Sequence, residues 1–171
     1  MDQIEMNVEK DVQNWNTLPD HSRVWIYASD RELTVDEEKH VKDALSDFIS
    51  RWAAHGTPMR AEGKLIDRLF IVLVADEEQT KASGCSIDDS VHFIRSLGTE
   101  LGVDFFNRMI THYLKDGKVH LVKLHEFWAM RKAGIVDEET IVVNNLITNL
   151  GQFKTSWKLP FRESWHQEMW S

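Results

Sequence analysis

Hydrophobic and polar positions change their spacing repeatedly along this chain, and each spacing predicts an element. Arg23-Val-Trp-Ile-Tyr-Ala28 is β-branched and aromatic, is followed by the turn residues Ser29-Asp30-Arg31, and reads as a strand. From Thr34 the period becomes helical. Val41, Leu45, Phe48 and Trp52 share one face, Thr34 and Glu37 form a capping box, and the helix is expected to run until His55-Gly56. A weaker strand follows from Met59 to Ile66, and then Leu69-Phe-Ile-Val-Leu-Val-Ala75 is apolar at every position, the pattern of a strand buried on both faces. A second helix starts near Ser86, with Ile87, Val91, Ile94 and Leu101 as its apolar stripe, and ends at Gly98 or Gly102. Val103 to Leu114 is again strand-like.

This β-α-β-β-α-β order predicts an α+β fold with a ferredoxin-like antiparallel sheet and both helices on one face. Lys115-Asp-Gly-Lys118 predicts a hairpin turn joining Met109–Leu114 to Val119–Leu124. A short helix over Leu124–Lys132, stopped by Gly134, a short strand over Thr140–Val143 and an irregular aromatic tail complete the C-terminal extension. The expected organisation is a flexible arm over residues 1–20 that adds little to the core, an α+β core over 21–108, and the extension over 109–171.

Charge and composition narrow the partners. With 171 residues and a net charge of −8, the chain is long enough for a full core and too acidic for broad nucleic-acid or acidic-membrane binding. No apolar run approaches the roughly 18 residues of a membrane span, and the first residues, Met1-Asp-Gln-Ile-Glu-Met, lack the pattern of a signal peptide. A single cysteine permits no internal disulfide and no cysteine zinc cluster, which fits a reducing cytoplasm. Trp is large and seldom fully buried, so some of the seven Trp are expected to line a groove or a subunit interface.

Candidate chemistry concentrates at Ser83-Gly-Cys-Ser86. Ser86 is expected as the N-cap, with Asp89 three residues on at the positive end of the helix. Ser83 and Gly84 would allow the sharp turn into it. Cys85 just before a helix N-terminus is where a thiolate is stabilised, so it is the candidate nucleophile of an enzyme. The alternative is a small buried residue at a tight turn. Asp88 and Asp89 nearby oppose a thiolate and favour that structural reading. Asp88 or Asp89 shares a helix face with His92, but two ligands do not make a metal site, and no metal or cofactor is expected. Asp76-Glu77-Glu78 closes the central strand as a solvated acidic loop. The chain has no G-x-S-x-G and no G-x-G-x-x-G.

His21-Ser-Arg-Val-Trp-Ile-Tyr27, Arg51-Trp-Ala-Ala-His-Gly56, Ala82-Ser-Gly-Cys-Ser-Ile-Asp88 and Ser164-Trp-His166 together resemble a family of small bacterial proteins whose members often carry the label "ABC transporter ATPase". That label requires a P-loop, G-x-x-x-x-G-K-[ST], to cradle phosphates, and none occurs here: Gly63-Lys64 is followed by Leu65. The run Tyr113, Gly117, Val119, Leu124, Phe127, Gly134, Ile135, Thr140 and Val142 is similar to the small GYF-like peptide-binding modules. That likeness implies a reader of extended peptides that stacks them on Tyr113, Trp128 or Trp157, and the aromatic tail, read as a contact surface, adds Trp165 as a binding residue. The expectation is therefore a non-catalytic cytoplasmic binding protein, acting on a peptide or protein partner or as a homo-oligomer, with a Cys85 enzyme as the alternative.

Overall fold

The computed structural model describes Trp15 and residues 18–54, 56–78 and 80–170, so expectations about the rest of the N-terminal arm and about His55 lie outside the described residues. In chain order the elements are β1 (Arg23–Ala28), α1 (Val35–Arg51), β2 (Ala53–Ala54), β3 (Thr57–Pro58), β4 (Arg60–Ile66), β5 (Phe70–Asp76) and α2 (Gly84–Leu101). Then come β6 (Ile110–Lys115), β7 (Lys118–Lys123), α3 (Leu124–Lys132), β8 (Ile141–Val143), α4 (Leu150–Ser156) and β9 (Lys158–Pro160), followed by two 3-10 turns, Phe161–Glu163 and Trp165–Trp170. The fold is α+β with antiparallel sheets. No helix is long and apolar enough to cross a membrane, among the described residues.

The apolar run of β5 is the centre of the molecule because it is covered twice. β1 and β4 flank it, both antiparallel, in the order β1-β5-β4. Side chains alternate across a strand. Ile71, Leu73 and Ala75 therefore meet Val41, Leu45 and Phe48 of α1 and Ile94 and Leu97 of α2, while Phe70, Val72 and Val74 meet Leu150, Phe153, Trp157 and Val143 on the other face. All six of these β5 residues are fully buried. Burying such side chains contributes about 1.5–3 kcal/mol each, which is why this run dominates the fold.

Local chemistry fixes the helices. Thr34 Oγ1 accepts from Glu37 N–H at 3.1 Å and Glu37 Oε1 accepts from Thr34 N–H at 2.9 Å, the expected capping box. Arg31 forks onto both Glu37 carboxylate oxygens at 2.8 Å and holds that carboxyl down to about 2. The same guanidinium donates to the carbonyl of Leu101 at 2.9 Å, tying the start of α1 to the end of α2. The β6–β7 hairpin turns through Asp116 (φ 50°) and Gly117 (φ 75°), the two left-handed residues that a tight hairpin requires.

Four expectations are corrected. The strand sought over Val103–Leu114 begins only at Ile110, and it leaves the first sheet to form the order β7-β6-β8-β9. Asp104 and Asn107 explain this: their side chains accept from the backbone N–H groups of Phe106 (2.8 Å) and Met109 (2.9 Å), turning the chain where a strand would need those donors. The N-cap of α2 is Ser83 and not Ser86: Ser83 Oγ accepts from Ser86 N–H at 3.1 Å, and no acidic residue stands in the first turn. Trp15 and Leu18 are buried in the core, so the end of the arm contributes to it; Trp15 stands edge-on to Phe153, at 5.8 Å between ring centres. The tail is not irregular either, because Asn149 caps α4 by accepting from Gln152 N–H at 2.8 Å.

The buried stripe of α2 is Ser86, Ser90, Ile94, Leu97 and Gly98, so of the expected Ile87, Val91, Ile94 and Leu101 it includes Ile94, while the other three are half-buried. Two serines face the core because large neighbours carry polar tips. Trp52 Nε1 donates to the Ser86 carbonyl at 2.8 Å, and the Tyr27 hydroxyl hydrogen-bonds Ser90.

Candidate functional site

The largest cavity among those described, about 860 Å³, opens beside β1, within the roughly 300–1,000 Å³ of ordinary ligand sites. One wall is Ile26, Tyr27 and Ala28 of β1, and the next is Val91 and Arg95 of α2. Phe105 to Arg108 of the turning segment, Ile110, Thr111 and His112 of β6, and Asn145, Leu146 and Trp165 complete it. A smaller hollow of about 360 Å³ shares Arg95, Phe105 and Phe106. The cavity exists because the chain turns away at Asp104, leaving space where a fourth strand would lie.

Its charged side chains are both cationic. Arg95 and Arg108 line it, no Asp or Glu does, and neither arginine has an ion-pair partner among the described residues. The Arg95 guanidinium lies over the Phe106 ring at 4.3 Å, which holds it in place. The side-chain oxygens of Asn107 and Asn145 are already occupied by Met109 N–H and Trp157 Nε1, leaving their NH₂ groups as the remaining polar ends. The Trp165 indole nitrogen and His112 Nε2 are buried without a hydrogen-bond partner. Leu146, 68% exposed, adds an apolar rim.

Beneath this wall Thr111 Oγ1 lies 2.6 Å from His166 Nε2, and Ser164 Oγ lies 2.6 Å from His166 Nδ1. All three residues are buried, and the Trp165 ring stacks on the His166 ring with centres 3.8 Å apart. Burial pushes His166 down to about 4, and burial with the neighbouring His166 does the same to His112, so both rings are neutral near pH 7. This network positions Trp165 and the lower wall. Both hydroxyls are engaged with the buried imidazole.

The residues singled out from sequence scatter. Trp165 alone of the four aromatic candidates lines the cavity. Trp157 is buried in the core, stacked on Phe153 at 4.6 Å, and is closed to any ligand. Tyr113 and Trp128 border a separate small core of Phe127, Val136, Val142 and Phe161, and Tyr113 stacks on His120. Ser83, Gly84, Cys85 and Ser86 form the first turn of α2. Cys85 is exposed there and does not line the cavity, which corrects the buried position expected for it.

His21, Asp76 and Glu78 bring three ligand-type atoms together, but Asp76 is bonded to Arg60 at 3.1 Å, which already supplies the positive charge a cation would bring. Arg95, Arg108 and His112 were not legible as a site. The available signal was Phe105-Phe-Asn-Arg108, a cation behind two aromatics in an acidic chain. Comparison of the chain with protein-family models, with curated proteins and with solved structures finds no match in any of the three.

Proposed function

We propose that this protein is a non-catalytic binding protein of the bacterial cytoplasm, built on a ferredoxin-like β-α-β-β-α unit whose fourth strand lies in a second sheet, that holds an anionic ligand with an apolar body in the cavity beside β1. One observation carries this reading: two arginines without carboxylate partners among the described residues line an apolar cavity in a chain whose net charge is −8. Arginine is suited to a carboxylate or a phosphate, and Val91, Phe105, Phe106 and Leu146 supply apolar contact. The resemblance to peptide-binding modules supports binding over catalysis.

Fluorescence titration with 8-anilinonaphthalene-1-sulfonate, an anion with an apolar body, tests it. Saturable binding to the wild type should weaken about tenfold or more in Arg95→Gln/Arg108→Gln, as loss of charge-assisted hydrogen bonds implies. Equal affinity in the two proteins would remove the cavity as the anion site.

A further inference from the structure

β1 has one edge paired with β5 and one edge turned away from it. On the outer edge Val24 N–H donates to the Thr148 carbonyl and Leu150 N–H to the Ser22 carbonyl, both at 2.9 Å, forming an isolated antiparallel bridge. Farther along, Asp30 N–H donates to the Asp104 carbonyl at 3.1 Å. Ser29 N–H points the other way, to Leu69 at 2.7 Å. Backbone groups alternate sides along an antiparallel strand, so the N–H and C=O of Ile26 and Ala28 face outward with those of Val24 and Asp30. Neither Ile26 nor Ala28 has an outer-edge backbone partner among the described residues, and both line the cavity.

An open strand edge is a template for another strand, and proteins usually cover or charge it. Here the edge is bracketed at both ends by backbone bonds of the chain itself, and the gap between them is the cavity. From Trp25 to Ser29 it runs about 13 Å, enough for a short extended segment at roughly 3.3 Å per residue. We infer that the ligand is an extended peptide carrying a carboxylate, which pairs with Ile26 and Ala28 as an added strand while its carboxylate meets Arg95 and Arg108. This rests on the proposed anion-binding role of the cavity and names the class of ligand.

Three features favour a peptide strand. A compact anion satisfies the arginines but leaves alternating N–H and C=O groups on the edge, which another backbone matches with both donors and acceptors. The two walls suit the alternating side chains of a strand. Ile26 and Ala28 belong to the face of the sheet that meets the C-terminal elements, where His112, Val143 and Asn145 stand, whereas Val91 and Arg95 belong to α2 on the opposite face. A second copy of this chain paired edge to edge would bring Arg95 and Arg108 of each copy together. That repulsion selects against self-pairing and for an acidic partner.

A library of short random peptides with free C-termini, selected on the immobilised full chain and read by mass spectrometry, is the probe. Enriched peptides should be acidic and should compete with 8-anilinonaphthalene-1-sulfonate. N-methylation of alternate backbone amides should abolish binding in one phase and spare the other, because only every second amide faces β1. Hydrogen exchange at the Ile26 and Ala28 amides should slow on binding. Arg95→Gln/Arg108→Gln should weaken the peptide about tenfold. Ala28→Pro removes an outward N–H and no β1–β5 bond, and should weaken it while circular dichroism stays native. Amidated peptides and Glu→Gln peptides distinguish a C-terminal from a side-chain carboxylate. If the dye binds in an arginine-dependent way but no peptide is enriched, or both methylation phases bind alike, the strand inference falls and the anion-site reading stands. If the dye also ignores the arginines, both fall. Concentration-dependent dimerisation that blocks dye binding would assign the edge to a second copy and overturn the peptide.

Discussion

Thr111 and His166 meet at 2.6 Å across 55 residues of chain, and the contact ties the tail to β6 beneath the cavity wall. The other imidazole nitrogen meets Ser164, so the neutral ring, with one donor and one acceptor, satisfies both hydroxyls. A protonated ring has two donors and no acceptor. Burial accordingly pushes both His166 and His112 from 6.5 to about 4. In that window the unfolded chain binds more protons than the folded one, so stability is full above about pH 6.5 and declines as the pH falls toward 4, by up to about 3 kcal/mol per histidine. Urea denaturation at a series of pH values should show this slope, and His112→Phe, which keeps a ring against Phe70, should flatten part of it. A midpoint in the variant that follows the wild type at every pH would show that His112 does not titrate on unfolding.

Val72 sits in the middle of β5 with no exposure and faces the C-terminal half of the core. Val72→Asp should not fold, because a buried unpaired carboxylate costs several kcal/mol against a total stability of about 5–15. Circular dichroism and gel filtration check this, and a cooperative unfolding transition in the variant would contradict the burial.

Cys85 is exposed in the first turn of α2 and its side chain is not part of the core. Cys85→Ala should therefore change stability by no more than about 0.5 kcal/mol. Alkylation by iodoacetamide at neutral pH should go to completion in the native protein. A thiol protected until the chain is denatured would place it inside.

Ser83, as the N-cap, should cost about 0.5–2 kcal/mol when replaced by Ala. Gly98 tests the other end of the same helix. A Cβ there would stand 2.6 Å from the Val103 carbonyl oxygen, so Gly98→Ala should destabilise despite the usual gain of about 0.5–1 kcal/mol from replacing glycine within a helix. Chemical denaturation of both variants measures this; a neutral Gly98→Ala would mean that the backbone at Val103 gives way.

Elements whose cause lies within a few residues were legible in the sequence. The unbroken apolar run of β5, the Thr34/Glu37 capping box and the Asp116-Gly117 turn each carry their own physical reason, and each forms where the pattern predicts. Asn149 and Gln152 form a cap of the same kind, and its cause is equally local.

Tertiary structure decided which of several equivalent residues does what. Ser83 and Ser86 are equal as caps by type, and Ser86 is instead turned into the core, where its carbonyl receives Trp52 from another element. Trp157 and Trp165 are eight residues apart in one aromatic tail, but only the first is enclosed by Phe70 and Phe153, while the second borders the cavity. The cavity is an absence of chain beside β1, produced when Asp104 and Asn107 turn the backbone away and β6 finds its partners in a second sheet. Strand pairing and the assembly of a site from distant segments depend on long-range contacts that offset the entropy of closing the chain, and local spacing carries no record of them.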